Sequence, residues 1–182
     1  MNQQRLTLST AISLSRILLL APITYLLVVE GPDYRWWAVG LLLLAVATDF
    51  LDGYLARRLH QVTDLGKIID PVADKIGVAV VAVVLIVSGD IPLWYGAAVL
   101  GRDALISLGG LYIRLQKRII PQSNWPGKIA VSLVAVYLIL SVAREASLET
   151  IRTVLLWASV AVMAVSLFSY GRRLFIGRSV KG

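Results

Sequence analysis

The chain contains no cysteine and only one histidine, His60. Disulfides, zinc–thiolate sites and thiol nucleophiles are therefore excluded, and no histidine cluster is available to build a metal site. Acidic residues are scarce, 11 against 18 lysines and arginines, which leaves a net charge of +7. The basic residues nowhere form a run interleaved with aromatics, so no nucleic acid is expected as a partner. In an apolar chain such an excess reads as cytoplasmic loops in contact with anionic lipid headgroups. No Pro/Gly/Ser-rich linker, internal repeat or shift of composition divides residues 1–182, so they read as a single domain. Apolar sequence is what the chain has in plenty: 58% of its 182 residues are hydrophobic and the mean hydropathy is +0.77. That exceeds what a soluble domain of this size needs.

The apolar blocks are close to the roughly 20 residues that cross a bilayer. The expected fold is all-α and polytopic, with six transmembrane helices after a short N-terminal interfacial segment. The helices are expected at about 13–30, 34–59, 65–88, 92–115, 126–143 and 148–173. Gly31-Pro32-Asp33, Gly89-Asp90-Ile91-Pro92 and the Pro121–Pro126 stretch supply the breaks. No small-x-small cleavage site follows the first apolar run, so it reads as a helix rather than a cleaved leader. One set of loop ends carries Arg5, Arg57, Arg58, Lys67, Arg114, Lys117, Arg118, Lys128, Arg172, Arg173, Arg178 and Lys181; the other carries Arg35, Arg144 and Arg152. The positive-inside rule then places both termini, and the turn near residue 60, in the cytoplasm. Trp36, Trp37, Trp94 and Tyr95 are expected in the aromatic belt at the opposite interface.

Four aspartates interrupt this apolar background, in two pairs: Asp49 and Asp52, then Asp70 and Asp74. A charge at membrane depth costs about 3 kcal/mol or more, so such a group needs compensation. Residues three or four apart share a helical face, and two helices joined by a short turn can bring two such faces together. Oxygen donors of this kind suit hard divalent cations. Gly53 and Ala56 are small, Arg57 offers a bidentate fork to phosphate, and Gly66 opens a helix whose free N–H groups favour anions. Carboxylates, metal and a phosphate-binding arginine point to phosphoryl-type transfer. A structural reading pairs the aspartates with Lys75 and Arg16 and uses the small residues for helix packing. A transport reading lines an ion path with the aspartates, and predicts buried acidic residues beyond the midplane as well. Only Glu30, Asp33, Asp90, Glu145 and Glu149 lie on that side, all near loops.

The spacing Asp49-x2-Asp52-Gly53-x2-Ala56-Arg57-x8-Gly66-x3-Asp70-x3-Asp74 resembles, at every fixed position, the signature of the CDP-alcohol phosphotransferase family. The resemblance implies a six-helix membrane enzyme, typically a homodimer, with a cytoplasm-facing site in the inner membrane. It implies that Asp49, Asp52, Asp70 and Asp74 bind metal, two ions of Mg2+ or Mn2+. Asp74 would be the catalytic base on the acceptor hydroxyl. Asp52, Gly53, Ala56, Arg57, Gly66 and Asp70 would bind the nucleotide, and CMP would be released. CDP-diacylglycerol and a phosphorylated alcohol are the expected partners, within membrane lipid.

The stretch from Asp49 to Lys75 looks most like the branches that make phosphatidylglycerophosphate and cardiolipin. By the same resemblance, Arg102 and Lys128 would meet the acceptor phosphate, with glycerol 3-phosphate as the acceptor. The plainer alternatives are that Asp103 neutralises Arg102 and that Lys128 snorkels to the interface. Arg102-Asp103 departs from the Arg-Glu usual in the glycerophosphate branch, and Gly127-Lys128-Ile-Ala-Val-Ser132 departs from its Gly-Lys-x-Lys-Thr. The Arg-Asp form looks more like the cardiolipin branch, whose acceptor is phosphatidylglycerol. Arg114, Lys117 and Arg118 would suit an inositol phosphate acceptor instead.

Overall fold

The computed structural model describes backbone for residues 8–29, 31–58, 66–117 and 125–176, and side chains for 18–29, 31, 33–48, 75–110 and 125–172. The described residues form six α-helices: α1 Leu8–Val28, α2 Pro32–Arg58, α3 Gly66–Val87, α4 Leu93–Lys117, α5 Trp125–Ala143 and α6 Glu149–Ile176, with one 3-10 turn, Ala146–Leu148, before α6. The all-α expectation holds, and most helix ends fall within two or three residues of the sequence reading. The largest difference is the start of α1, five residues earlier than expected. The interfacial segment ahead of it lies outside the described residues.

Helix lengths run from 19 residues in α5 to 28 in α6. At 1.5 Å per residue even the shortest reaches about 28 Å, close to the thickness of a hydrocarbon core. Among the described residues two helical stretches, Trp125–Ala143 and Ala146–Arg172, are both long and apolar enough to cross a membrane. Charge interrupts α2, which carries Asp33, Arg35, Asp49, Asp52 and Arg57, and α4, which carries Arg102 and Asp103.

The chain divides into two compact units, Met1–Ile91 with Val142–Arg144, and Pro92–Ser141 with Glu145–Gly182. In the first, α1 packs along both α2 and α3. Buried residues line these helices: Ile23 and Leu27 on α1, Ala38 and Val39 on α2, and Val81, Ala82 and Leu85 on α3. In the second, buried positions step by three or four. Among them are Tyr95, Val99 and Arg102 on α4, Ala130, Val134, Tyr137 and Ser141 on α5, and Ser159, Met163 and Ser166 on α6. Serines at the seam are small enough to let helices approach closely.

α3 ends in a Schellman motif. The Asp90 N–H donates to the Leu85 carbonyl at 2.8 Å and the Gly89 N–H to the Ile86 carbonyl at 3.1 Å. Gly89 takes the left-handed position with φ 73°, where a side chain is strained. A Cβ there would meet nothing within 4 Å, so backbone strain alone opposes substitution. Gly89→Ala is expected to lower unfolding stability by about 1–2 kcal/mol, read as a lower melting temperature in detergent.

That turn presents Asp90 to two arginines. Arg35 Nη1 donates to Asp90 Oδ2 at 2.9 Å and reaches the Val142 carbonyl at 3.3 Å. Arg144 Nε donates to Asp90 Oδ1, and its Nη2 to the Ser88 carbonyl at 2.6 Å. Arg144 itself has φ 51°, a conformation that favours glycine. Its side chain supplies a second cation to a carboxylate whose own side chain is only 1% exposed. Asp90, read from sequence as a loop residue, is thus buried and doubly paired. Tyr95 is likewise no belt residue. It is fully buried, its ring 4.6 Å from that of Tyr137 and its hydroxyl 2.8 Å from Ser159 Oγ. Trp36, Trp37 and Trp94 are exposed.

Candidate active site

Helical backbone runs through both halves of the aspartate motif. Asp49, Asp52, Gly53, Ala56 and Arg57 fall within the last turns of α2. Gly66 is the first residue of α3, followed by Asp70 and Asp74. The three- and four-residue separations therefore place each pair on one helical face. The side chains of these residues, and the turn at 59–65, lie outside the described residues. The meeting of the two acidic faces stays an expectation from spacing. Among the described side chains no group of three acidic or histidine residues is gathered for a metal. The donor set fits a hard divalent cation by its chemistry: four carboxylates, with no sulfur or imidazole among them.

The described residues bordering the motif are informative. Thr48, just before Asp49, turns its hydroxyl back to the Ala45 carbonyl at 2.9 Å, so that group is satisfied within its own helix. Lys75, just after Asp74, is exposed. Buried carboxylate elsewhere does not support an ion path. Asp90 is held between Arg35 and Arg144, and a carboxylate so committed is a poor ligand for a passing cation.

In the second unit the two basic residues singled out from sequence behave differently. Lys128 is exposed, with its ammonium 5.4 Å from the centre of the Trp125 ring. Arg102 is 8% exposed. Its Nη1 donates to Asp103 Oδ1 at 2.6 Å, while Nη2 donates to Ser166 Oγ at 3.2 Å and toward the Gly127 carbonyl at 3.4 Å. Adjacent residues on a helix do not face one another. The Arg102–Asp103 pair therefore forms because the long arginine stem folds across to its neighbour. Asp103 is thus a partner of Arg102, as one of the sequence readings held. Arg102 Nε remains buried with no hydrogen-bond partner. Ser166 was not anticipated: 64 residues from Arg102, within an apolar helix, its hydroxyl carries no sequence signal.

Comparison with known proteins agrees with the motif. The sequence profile described as CDP-alcohol phosphatidyltransferase matches residues 6–165. A Pseudomonas fluorescens protein named CDP-diacylglycerol–glycerol-3-phosphate 3-phosphatidyltransferase is 44% identical over 100 residues, 53% of this chain and 50% of its own length. A Streptomyces coelicolor protein named cardiolipin synthase (CMP-forming) is 36% identical over 100 residues, 55% of this chain and 46% of its own. The match thus spans about half the length of each of these two. A Rickettsia bellii protein with the same name as the Pseudomonas one is 27% identical over 163 residues, 87% of this chain and 90% of its own. With a profile match over most of its length, the chain belongs to the CDP-alcohol phosphatidyltransferase family, membrane transferases of phospholipid synthesis that use divalent metal ions.

Proposed function

We propose that this protein moves a phosphatidyl group from CDP-diacylglycerol to the hydroxyl of glycerol 3-phosphate and releases CMP. The observation that carries the reading is the complete eight-position motif on the helical ends of α2 and α3. The Pseudomonas and Rickettsia relatives support glycerol 3-phosphate as acceptor. In this reading all six helices span the inner membrane of the cell as a homodimer, with both termini and the site facing the cytoplasm.

Asp49, Asp52, Asp70 and Asp74 would hold two ions of Mg2+ or Mn2+, which supply neutralisation of pyrophosphate charge and stabilise CMP as it leaves. Arg57 holds the pyrophosphate through its planar fork. Gly53, Ala56 and Gly66 leave room for the cytidine nucleotide. Asp74 accepts the proton of the acceptor hydroxyl as its oxygen forms the new P–O bond. The old bond to the CMP oxygen breaks, and CMP carries away that electron pair. Arg102 and Lys128 would receive the phosphate of the acceptor.

A second reading takes phosphatidylglycerol as acceptor and cardiolipin as product. The Arg102–Asp103 pair favours it, because the pair is neutral as a whole and better suited to a phosphodiester monoanion than to a phosphomonoester dianion. The Streptomyces relative points the same way.

Purified protein in detergent, given CDP-diacylglycerol, magnesium and one acceptor at a time, is expected to release CMP with glycerol 3-phosphate. Chelation by EDTA should stop release, and added magnesium or manganese should restore it. Release with phosphatidylglycerol alone would move the assignment to the second reading. No CMP with glycerol 3-phosphate, phosphatidylglycerol or inositol phosphate would sink both.

A further inference from the structure

The guanidinium of Arg102 is almost completely committed to the protein, and its commitments come from three places in the second unit. Asp103 holds Nη1 at 2.6 Å, Ser166 Oγ receives Nη2 at 3.2 Å, and the Gly127 carbonyl lies 3.4 Å from Nη2. Arg102 and Ser166 are both buried, at 8% and 0% exposure. Nε is the exception: it is out of contact with solvent and has no acceptor. An orphaned donor on a buried cation is costly unless an acceptor arrives, and an anionic oxygen is the acceptor that suits it.

We infer that Ser166 is a positioning residue: its hydroxyl fixes the far end of the Arg102 guanidinium so that Nε–H is held in reserve for a phosphate oxygen of the acceptor. The inference rests on the transferase reading above for the identity of that phosphate. An arginine is a long, rotamer-rich side chain. Without Ser166 the planar head is held by the Asp103 contact and only the long 3.4 Å approach of Nη2 to the Gly127 carbonyl, and it can tilt about Nη1. Anchoring Nη2 to α6 as well sets the plane of the head, and with it the direction of Nε–H. The hydroxyl of Ser166 touches neither nucleotide nor reacting phosphorus. Its effect should therefore fall on acceptor affinity and leave the chemical step alone.

Ser159 gives an internal control. It lies on α6, is equally buried, and its hydroxyl serves Tyr95 instead. Ser166→Ala is expected to raise the acceptor KM about tenfold, the loss of one hydrogen bond to a charged group. Its kcat and its KM for CDP-diacylglycerol should stay within about twofold of wild type. Ser166→Thr, which restores a hydroxyl, should recover most of the acceptor KM, and Ser159→Ala should leave it unchanged. Binding of inorganic phosphate and of glycerol 3-phosphate, measured by calorimetry without CDP-diacylglycerol, reads the same site independently of turnover. Ser166→Ala should weaken it about tenfold.

Equal phosphate binding by wild type and Ser166→Ala, or none by either, overturns the inference. A melting temperature lowered by Ser166→Ala with acceptor KM unchanged overturns it too, because the serine then only packs. Phosphate binding that responds to Ser166→Ala in a protein that releases no CMP would support the positioning role and refute the transferase reading.

Discussion

Asp74→Asn is expected to reduce CMP release by a factor of about 10²–10⁴, the range in which a positioned general base contributes. The asparagine keeps the size of the side chain and one oxygen able to bind a cation, so under the proposed roles nucleotide affinity should change far less than turnover. The check is a pair of measurements on one preparation: initial rates with saturating acceptor, and CDP-diacylglycerol affinity by titration. A parallel loss of both would assign Asp74 to metal binding alone, and normal turnover would remove it from the reaction. Asp49→Asn and Asp70→Asn should behave in the contrasting way. As metal ligands they should raise the magnesium concentration needed for half-maximal rate.

The second large effect concerns stability. Asp90→Ala is expected to destabilise the fold by about 3–5 kcal/mol, the range found when one partner of a buried ion pair is removed. The cause lies with what remains: the Arg35 side chain is 10% exposed and would keep its charge with no counter-ion. Arg144→Ala should cost under about 1 kcal/mol, because that side chain is 48% exposed and pairs near solvent contribute little. Replacing Arg35 and Asp90 together by apolar residues should recover much of the loss. Thermal unfolding in detergent orders the three variants. If Asp90→Ala melts with wild type, the ion cluster does not hold this end of the first unit.

The helices were legible because their signals are local. Apolar runs of the right length are bounded by Gly31-Pro32, Gly89-Asp90-Ile91-Pro92 and Pro126, and each break falls within three residues of an observed helix end. The aspartate motif was legible for the same reason, since all eight positions lie within 26 consecutive residues. Long-range pairing was not legible. Arg35 and Arg144 could be counted as loop charges, but nothing in the chain said that Asp90 lies between them. Tyr95 beside Trp94 read as an interfacial aromatic. Only the position of Ser159, 64 residues on, reveals it as a buried polar contact. The Arg102–Asp103 pair was one of two sequence readings, and the role of Ser166 in it required the fold.

The Arg35–Asp90 pair spans 55 residues of sequence, and this sets an order on biogenesis. At typical synthesis rates of 5–20 residues per second, roughly 3–11 s pass between the ribosome's addition of the arginine and of its counter-ion. During that interval the nascent first hairpin carries an unneutralised cation at the start of its second segment. Its insertion must therefore be tolerated by water or headgroups at the membrane surface, and the cation can be drawn into the protein interior only after the third segment has emerged.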